Sequence, residues 1–231
     1  PQENWVLGGY NCKGNLSFNN NTVHDLFNGV AVGFNGDVTD WKGLEVGYNH
    51  FYNILDDVIE PEPFANCWNV HHNNMHDSHV ILSLTPSNSS VCNSTFAYNI
   101  AIANSSVSGT VRTFKFSADN NNATRGWVID HNTLYGRDGI IQTTASEEIM
   151  WGFTWTNNLF YDNDSTSNLI DRTGTVNQNN HYDYNLYSKP SGNKFCYYAS
   201  DSSSTCYTSL AAAIATGRAP AWDANSVDSV V

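Results

Sequence analysis

The stretch WNVHHNNMH, Trp68–His76, alternates apolar with polar residues, pauses at a pair of asparagines, and resumes. Alternation of period two marks a strand with one face buried, and asparagine accommodates a sharp turn, so the segment predicts strand, turn, strand. Six other segments share the plan: NNTVH, YNHFY, YNIAI, HNTLY, TNNLF and YNLYS. Aligned on the asparagine they place Asn21, Asn49, Asn73, Asn99, Asn132, Asn157 and Asn185 in one column, spaced 28, 24, 26, 33, 25 and 28 residues apart. A bulky side chain usually follows two places later, and YNLYS fits least well because its bulky residues come one place early.

A strand-built repeat with a period in the twenties predicts a parallel β-helix of roughly seven coils. Leucine-rich repeats have a similar period but need a leucine framework that this chain lacks. Helical repeats are excluded by the alternation in LEVGYNHFY, GWVIDHNTLY and GFTWTNNLFY. The asparagine is expected to do two things: adopt the left-handed turn conformation, and bond its amide to the next coil's amide in a ladder of about 4.8 Å spacing. After the coils, TSLAAAIATGR reads as a short helix with Thr208 or Ser209 as N-cap and Gly217 as its stop. The expected organisation is one all-β domain: a parallel β-helix over residues 1–207, then a helix and tail over 208–231 packed on the last coil. The abrupt opening PQENW suggests a processed or incomplete chain.

Composition narrows the partners. A net charge of −12, with only 10 Lys and Arg, disfavours nucleic acid and acidic membranes. No apolar run is long enough to predict a membrane span. Many Asn, Ser, Tyr and Trp with few charges suit a surface facing carbohydrate, and equally an asparagine-laddered solenoid. Sequons at Asn15, Asn20, Asn88, Asn93, Asn104, Asn122 and Asn163 fit a glycosylated secreted protein. Of 5 cysteines, Cys196 and Cys206 enclose a polar loop and are expected to pair. Cys67 and Cys92 precede their asparagines by 6 and 7 residues in adjacent coils, which predicts a second disulfide or stacked free thiols and leaves Cys12 over. That usage points to an oxidising, extracellular compartment.

The segments DDVIEPE, WNVHHNNMHDSHVILSLTP, STFAYN, GWVIDHNTLYGRDG, TNNLFY and YDYNLYS resemble, in order, the right-handed parallel β-helix repeat proteins of the pectate-lyase-like superfamily. SLAAAIATG followed by WDANSV is similar to the tail of many of them. The resemblance covers roughly Asn15 to Val227 and implies a right-handed β-helix associated with carbohydrate. It does not fix the activity, since the superfamily holds lyases, glycoside hydrolases, epimerases and adhesins. Of the polygalacturonase signatures only a DD, Asp56–Asp57, is present. Family tails continue into one further strand after the WDANSV region, where this chain is expected to stop.

DDVIEPEP, Asp56–Pro63, is the strongest chemical candidate, with four carboxylates in eight residues. Counted from the asparagines, Asp57 shares a rim with Asn28, His79, Arg112 and Asp138, with Lys115 beside it. A glycoside hydrolase would take its acid and base from Asp56, Asp57, Glu60 and Glu62. A lyase would use Arg112 or Lys115 to abstract a uronate C5 proton while Ca²⁺ on Asp56, Asp57 and Glu60 neutralised the substrate carboxylate. His79, Asp138 and Trp155 are candidate sugar contacts. The simpler alternative is that Asp56 and Asp57 cap a turn while Glu60 and Glu62 face solvent. Zinc on His71, His72, His76 and His79 would need a helix, and a strand–turn–strand segment removes the meaning of that spacing. Two non-enzymatic readings stand beside these: a carbohydrate-binding or adhesin module, and a solenoid whose open ends stack into a fibre.

Overall fold

The computed structural model describes residues 4–7, 15–31, 43–61, 67–84, 93–106, 108–116, 124–143, 150–173, 180–198, 203–216 and 221–229. Glu62, Pro63, Cys12, Cys92, Asn88 and Asn122 lie outside them. Each coil contributes one short strand to each of three sheets. Glu45–Gly47, His50–Ile54 and Asp57–Glu60 form one coil; Asn69–His71, Asn74–Ser78 and Val80–Leu84 form the next. Stacking these coils gives sheets of seven, eight and eight strands, all parallel except Ser204–Tyr207, which closes the third sheet antiparallel to Phe195–Tyr198. The fold is therefore an all-β parallel solenoid with one short helix.

Register explains the core. On the first sheet Val46, Val70, Phe96, Ile129, Trp155 and Tyr182 lie one above another. On the second the column is Phe51, Met75, Ala101, Leu134, Phe160 and Tyr187; on the third it is Ile59, Leu82, Phe114, Ile141, Ile170 and Phe195. All are buried in one apolar cluster. Parallel strands have no short connection, so long-range stacking rather than local turns carries this stability.

At the first corner, between sheets one and two, the ladder runs through Asn21, Asn49, Asn73, Asn99, Asn132, Asn158 and Asn185. Each Oδ1 accepts the backbone N–H and the Nδ2 of the rung before it, for example from Asn73 to Asn99 at 2.9 and 3.0 Å. From Asn49 onward each Nδ2 also donates to a carbonyl of the preceding coil, as Asn99 does to Val70 at 3.1 Å. The rung from the sixth coil is Asn158, one residue beyond the expected Asn157. The ladder asparagines are also not the left-handed residues. That conformation belongs to the residue before each: Asn20, Tyr48, His72, Tyr98, His131, Asn157 and Tyr184, with φ between 52° and 61°. In TNNLF both slots hold asparagine, and only the second sets a large side chain two places on, Phe160, into the core. By the same count Asn185 is regular, since Tyr187 is fully buried.

The helix forms over Leu210–Ala215 with Ser209 as N-cap, its hydroxyl accepting the Ala212 N–H at 3.2 Å. Leu210 and Ala213 bury against the core. A strand does follow the WDANS segment: Val227–Ser229 pairs parallel with Leu186–Ser188, and Ser226 Oγ ends the ladder by accepting the Asn185 N–H at 2.9 Å. Cys196 and Cys206 form the expected disulfide, and Cys67 is also disulfide-bonded. No helix among the described residues is long and apolar enough to cross a membrane.

Candidate functional site

The second corner, between sheets two and three, holds nearly all the chemistry. Asp57 opens its strand on the third sheet with its side chain only 1% exposed, and Lys115, two coils on, reaches it with Nζ at 3.0 Å. Register places Asp57 and Arg112 on the same row, either side of Val80. Burial lowers the Arg112 pKa, and the Asp57 carboxylate opposes that shift. Asn28 joins the group, its Oδ1 accepting the Asp57 N–H at 3.3 Å while its Nδ2 donates to Glu60 Oε2 at 2.9 Å. The fold thus gathers Asp57, Glu60, Arg112 and Lys115. A carboxylate that accepts from a lysine ammonium makes a poor proton donor. An ammonium clamped on a carboxylate makes a poor base. Glu60 is 8% exposed, so the expectation that it faces solvent does not hold.

His79 and Asp138 sit one residue ahead of that row. Burial lowers the His79 pKa; Asp56 and Asp138 oppose this, and Arg112 and Arg137 reinforce it. Asp138 accepts the Val111 N–H at 2.7 Å and two bonds from Arg137, which also clamps the carbonyls of Ser105 and Gly109. Burial pushes the Asp138 carboxyl up, but the Arg137 and Val111 bonds outweigh it and its pKa is lowered. Asp138 therefore ties the corner together, while the buried His79 Nδ1 makes no hydrogen bond among the described residues. Trp155, expected to meet sugar, is fully buried in the core and stacks on Tyr182 at 5.9 Å. Among the described residues no group of three or more His, Cys, Asp or Glu side chains is placed to hold a metal ion, the Asp56, Asp57 and Glu60 set included.

A few residues before Asp57, the same corner opens outward. In three successive coils the second-sheet strand carries a left-handed residue near its end: Asp25, Asn53 and Asp77, with φ of 57°, 53° and 51°. Asp and Asn tolerate that conformation better than most L residues because their short side chains bond locally. The fourth coil is one residue shorter here, so the pairing shifts between Ala101 and Ala103. Asn104 then continues the row, its Oδ1 accepting the Asp77 N–H at 2.7 Å. The result is a groove of about 440 Å³ lined by this alternation of carboxylate and amide, with Leu55 and the Ser105 and Ser106 pair beside it. Asn53 Nδ2 donates to Asp25 Oδ1 at 3.2 Å. The His24 imidazole, 2.6 Å from the other Asp25 oxygen, lowers that carboxyl's pKa first, and Asn53 second.

Beside the groove, on the outer face of the second sheet, His24, Tyr52 and His76 stack in register at 4.7 and 5.6 Å. The first corner carries a longer column, Tyr48, His72, Tyr98 and His131, with centroids 4.9 to 5.1 Å apart and planes within 22° of parallel. Rings at this spacing along the coil axis turn their faces to one another and their edges to solvent. They therefore bind each other rather than offering flat platforms, and what they present outward is Tyr O–H and imidazole nitrogen.

The groove residues escaped the sequence reading, although a signal exists. Asp25, Asn53 and Asp77 each follow their ladder asparagine, Asn21, Asn49 and Asn73, by the same offset, and Asp25 and Asp77 each follow a histidine. Comparison with protein-family models, with curated proteins and with solved structures finds no match.

Proposed function

We propose that this β-solenoid is a secreted glycoprotein that binds a neutral polysaccharide in the second-corner groove, without catalysis at the Asp57 cluster. The observation that carries the reading is the row Asp25, Asn53, Asp77, Asn104, which sets alternating acceptors and amides along an open groove. A coil rise of about 4.8 Å is close to the length of one pyranose in an extended chain, so successive coils meet successive sugars. Carboxylates and amides bond sugar hydroxyls, while two carboxylates and a net charge of −12 repel a polyuronate. The disulfide supports an oxidising compartment. Outside the groove, the described sequon asparagines Asn15, Asn20, Asn93 and Asn163 are all exposed, as glycosylation needs. The likeness to pectate-lyase-like β-helices points the same way, as analogy.

Affinity electrophoresis tests the proposal, using protein made without N-glycans because a glycan on Asn104 would fill the groove. Retardation by at least one neutral polysaccharide, lost in an Asp25→Ala/Asp77→Ala double variant, is the expected result. Retardation by polygalacturonate instead, or by none of a broad neutral panel, would sink it.

A further inference from the structure

We propose that His50 and His76 form a two-imidazole site for a divalent transition-metal ion, Cu²⁺ or Zn²⁺. The two residues lie diagonally on neighbouring strands of the second sheet, both facing outward, with their Nε2 atoms 2.7 Å apart. His76 Nδ1 lies 2.7 Å from Asp77 Oδ2. An ionised carboxylate only accepts, so His76 carries its proton on Nδ1 and turns the Nε2 lone pair towards His50. His50 Nε2 then supplies the single shared proton of the contact. A metal ion replaces that proton: His50 shifts its own proton to Nδ1, and both Nε2 lone pairs bond the ion, with no net change in charge on the rings.

The geometry needs little adjustment. With metal–nitrogen bonds of about 2.0–2.1 Å, two ligands of a tetrahedral ion stand roughly 3.3 Å apart, so the pair must open by about 0.6 Å. The His76 side chain is 30% exposed, so the ring tip is open to solvent on the outer face. Tyr52 packs against both rings, tilted to His50 at 5.0 Å and stacked on His76 at 5.6 Å. Asp77 on the far nitrogen is the carboxylate–histidine arrangement that orients a metal-binding imidazole and raises its basicity. Two nitrogens leave the remaining positions to water, and imidazole with water favours Cu²⁺ over Zn²⁺.

The His71 and His72 pair supplies an internal contrast. Their Nδ1 atoms are 3.0 Å apart, but His72 is sandwiched between Tyr48 and Tyr98, and His71 is 14% exposed with its Nε2 on Glu45. Nδ1 lies against the side-chain stem, where an ion meets steric crowding that the ring tip avoids.

The test is calorimetric titration of the whole chain with Cu²⁺ and with Zn²⁺ near neutral pH, with the Cu²⁺ form read by electron paramagnetic resonance. One equivalent with nitrogen hyperfine coupling is expected. His50→Ala and His76→Ala, checked as folded by circular dichroism, should each weaken it roughly a hundredfold, and Asp77→Asn about tenfold. A His71→Ala/His72→Ala double variant should bind as the parent does. Equal binding by the His76→Ala variant, loss only in the His71/His72 variant, or no stoichiometric binding by the parent would each overturn the assignment. Polysaccharide binding is scored by electrophoretic retardation without added metal, and His50→Ala should leave it unchanged, so the two proposals fail independently.

Discussion

The two outward corners of the same coils use one backbone device to opposite ends. At the first corner the left-handed residue is mostly Tyr or His, and it roofs an asparagine ladder whose amides are spent on one another. At the second it is Asp or Asn, three times over, and the polar atoms face a groove. A left-handed Tyr is costly, of order 1 kcal/mol or more, and the ring column and buried ladder beneath it offset that cost. The first corner therefore buries its amides in the ladder, and the second sets its bonded carboxylates and amides along an open groove.

If so, the largest effect of a single change should be on a ladder rung. Asn99→Ala leaves the Asn73 N–H and the Val70 carbonyl buried without their partners, and should cost about 3 kcal/mol or more in urea unfolding. A cost near that of a surface substitution would mean that the buried ladder does not stabilise the first corner. Next comes Asp57→Ala at the second corner, which leaves Lys115 without its carboxylate. Because that lysine is 28% exposed, the expected loss is about 2 kcal/mol rather than the full penalty of a buried charge, and groove binding should survive. Binding lost with stability intact would move the functional site to Asp57. Third, Asn53→Ala should weaken polysaccharide binding about tenfold, close to 1.4 kcal/mol, while Tyr98→Ala at the first corner leaves it unchanged.

The smallest expected effect concerns His79, which sits behind the groove. Burial lowers its pKa in the folded protein, so the unfolded chain takes up the proton first, near pH 6.5. Below that pH the unfolded state binds more protons, and stability falls as pH drops towards the folded value. His79→Asn should flatten this slope between pH 7 and 5 in urea midpoints; an unchanged slope would assign it to other groups.

The solenoid was legible because every coil must return an asparagine to the same corner, and that demand is written at a nearly constant period. The one misplaced rung had a consequence out of proportion to its size. Counted from Asn157, Trp155 occupies the slot of the outward residue His71; counted from Asn158, it occupies that of Val70, inside. A one-residue slip reverses the face of every neighbour in a strand, so the two counts put this tryptophan on opposite faces. The Asp57 cluster was legible because Asn28, Asp57 and Arg112 keep one register. His79 and Asp138 were placed one residue out because coil lengths vary between the asparagines and the third sheet. The metal pair was hidden for a different reason. His50 and His76 are 26 residues apart, and only the diagonal of a parallel sheet brings their ring tips together.

The register shift between Ala101 and Ala103 does more than end a run of turns. Besides ending the run of left-handed turns at Asp77, it leaves Asn104 to close the row from a coil without the extra residue, so single insertions and deletions set which coils carry the turn. Adding one aspartate or asparagine between Ala101 and Ala103 would give the fourth coil the length of the three before it at this corner and carry the left-handed run one coil further.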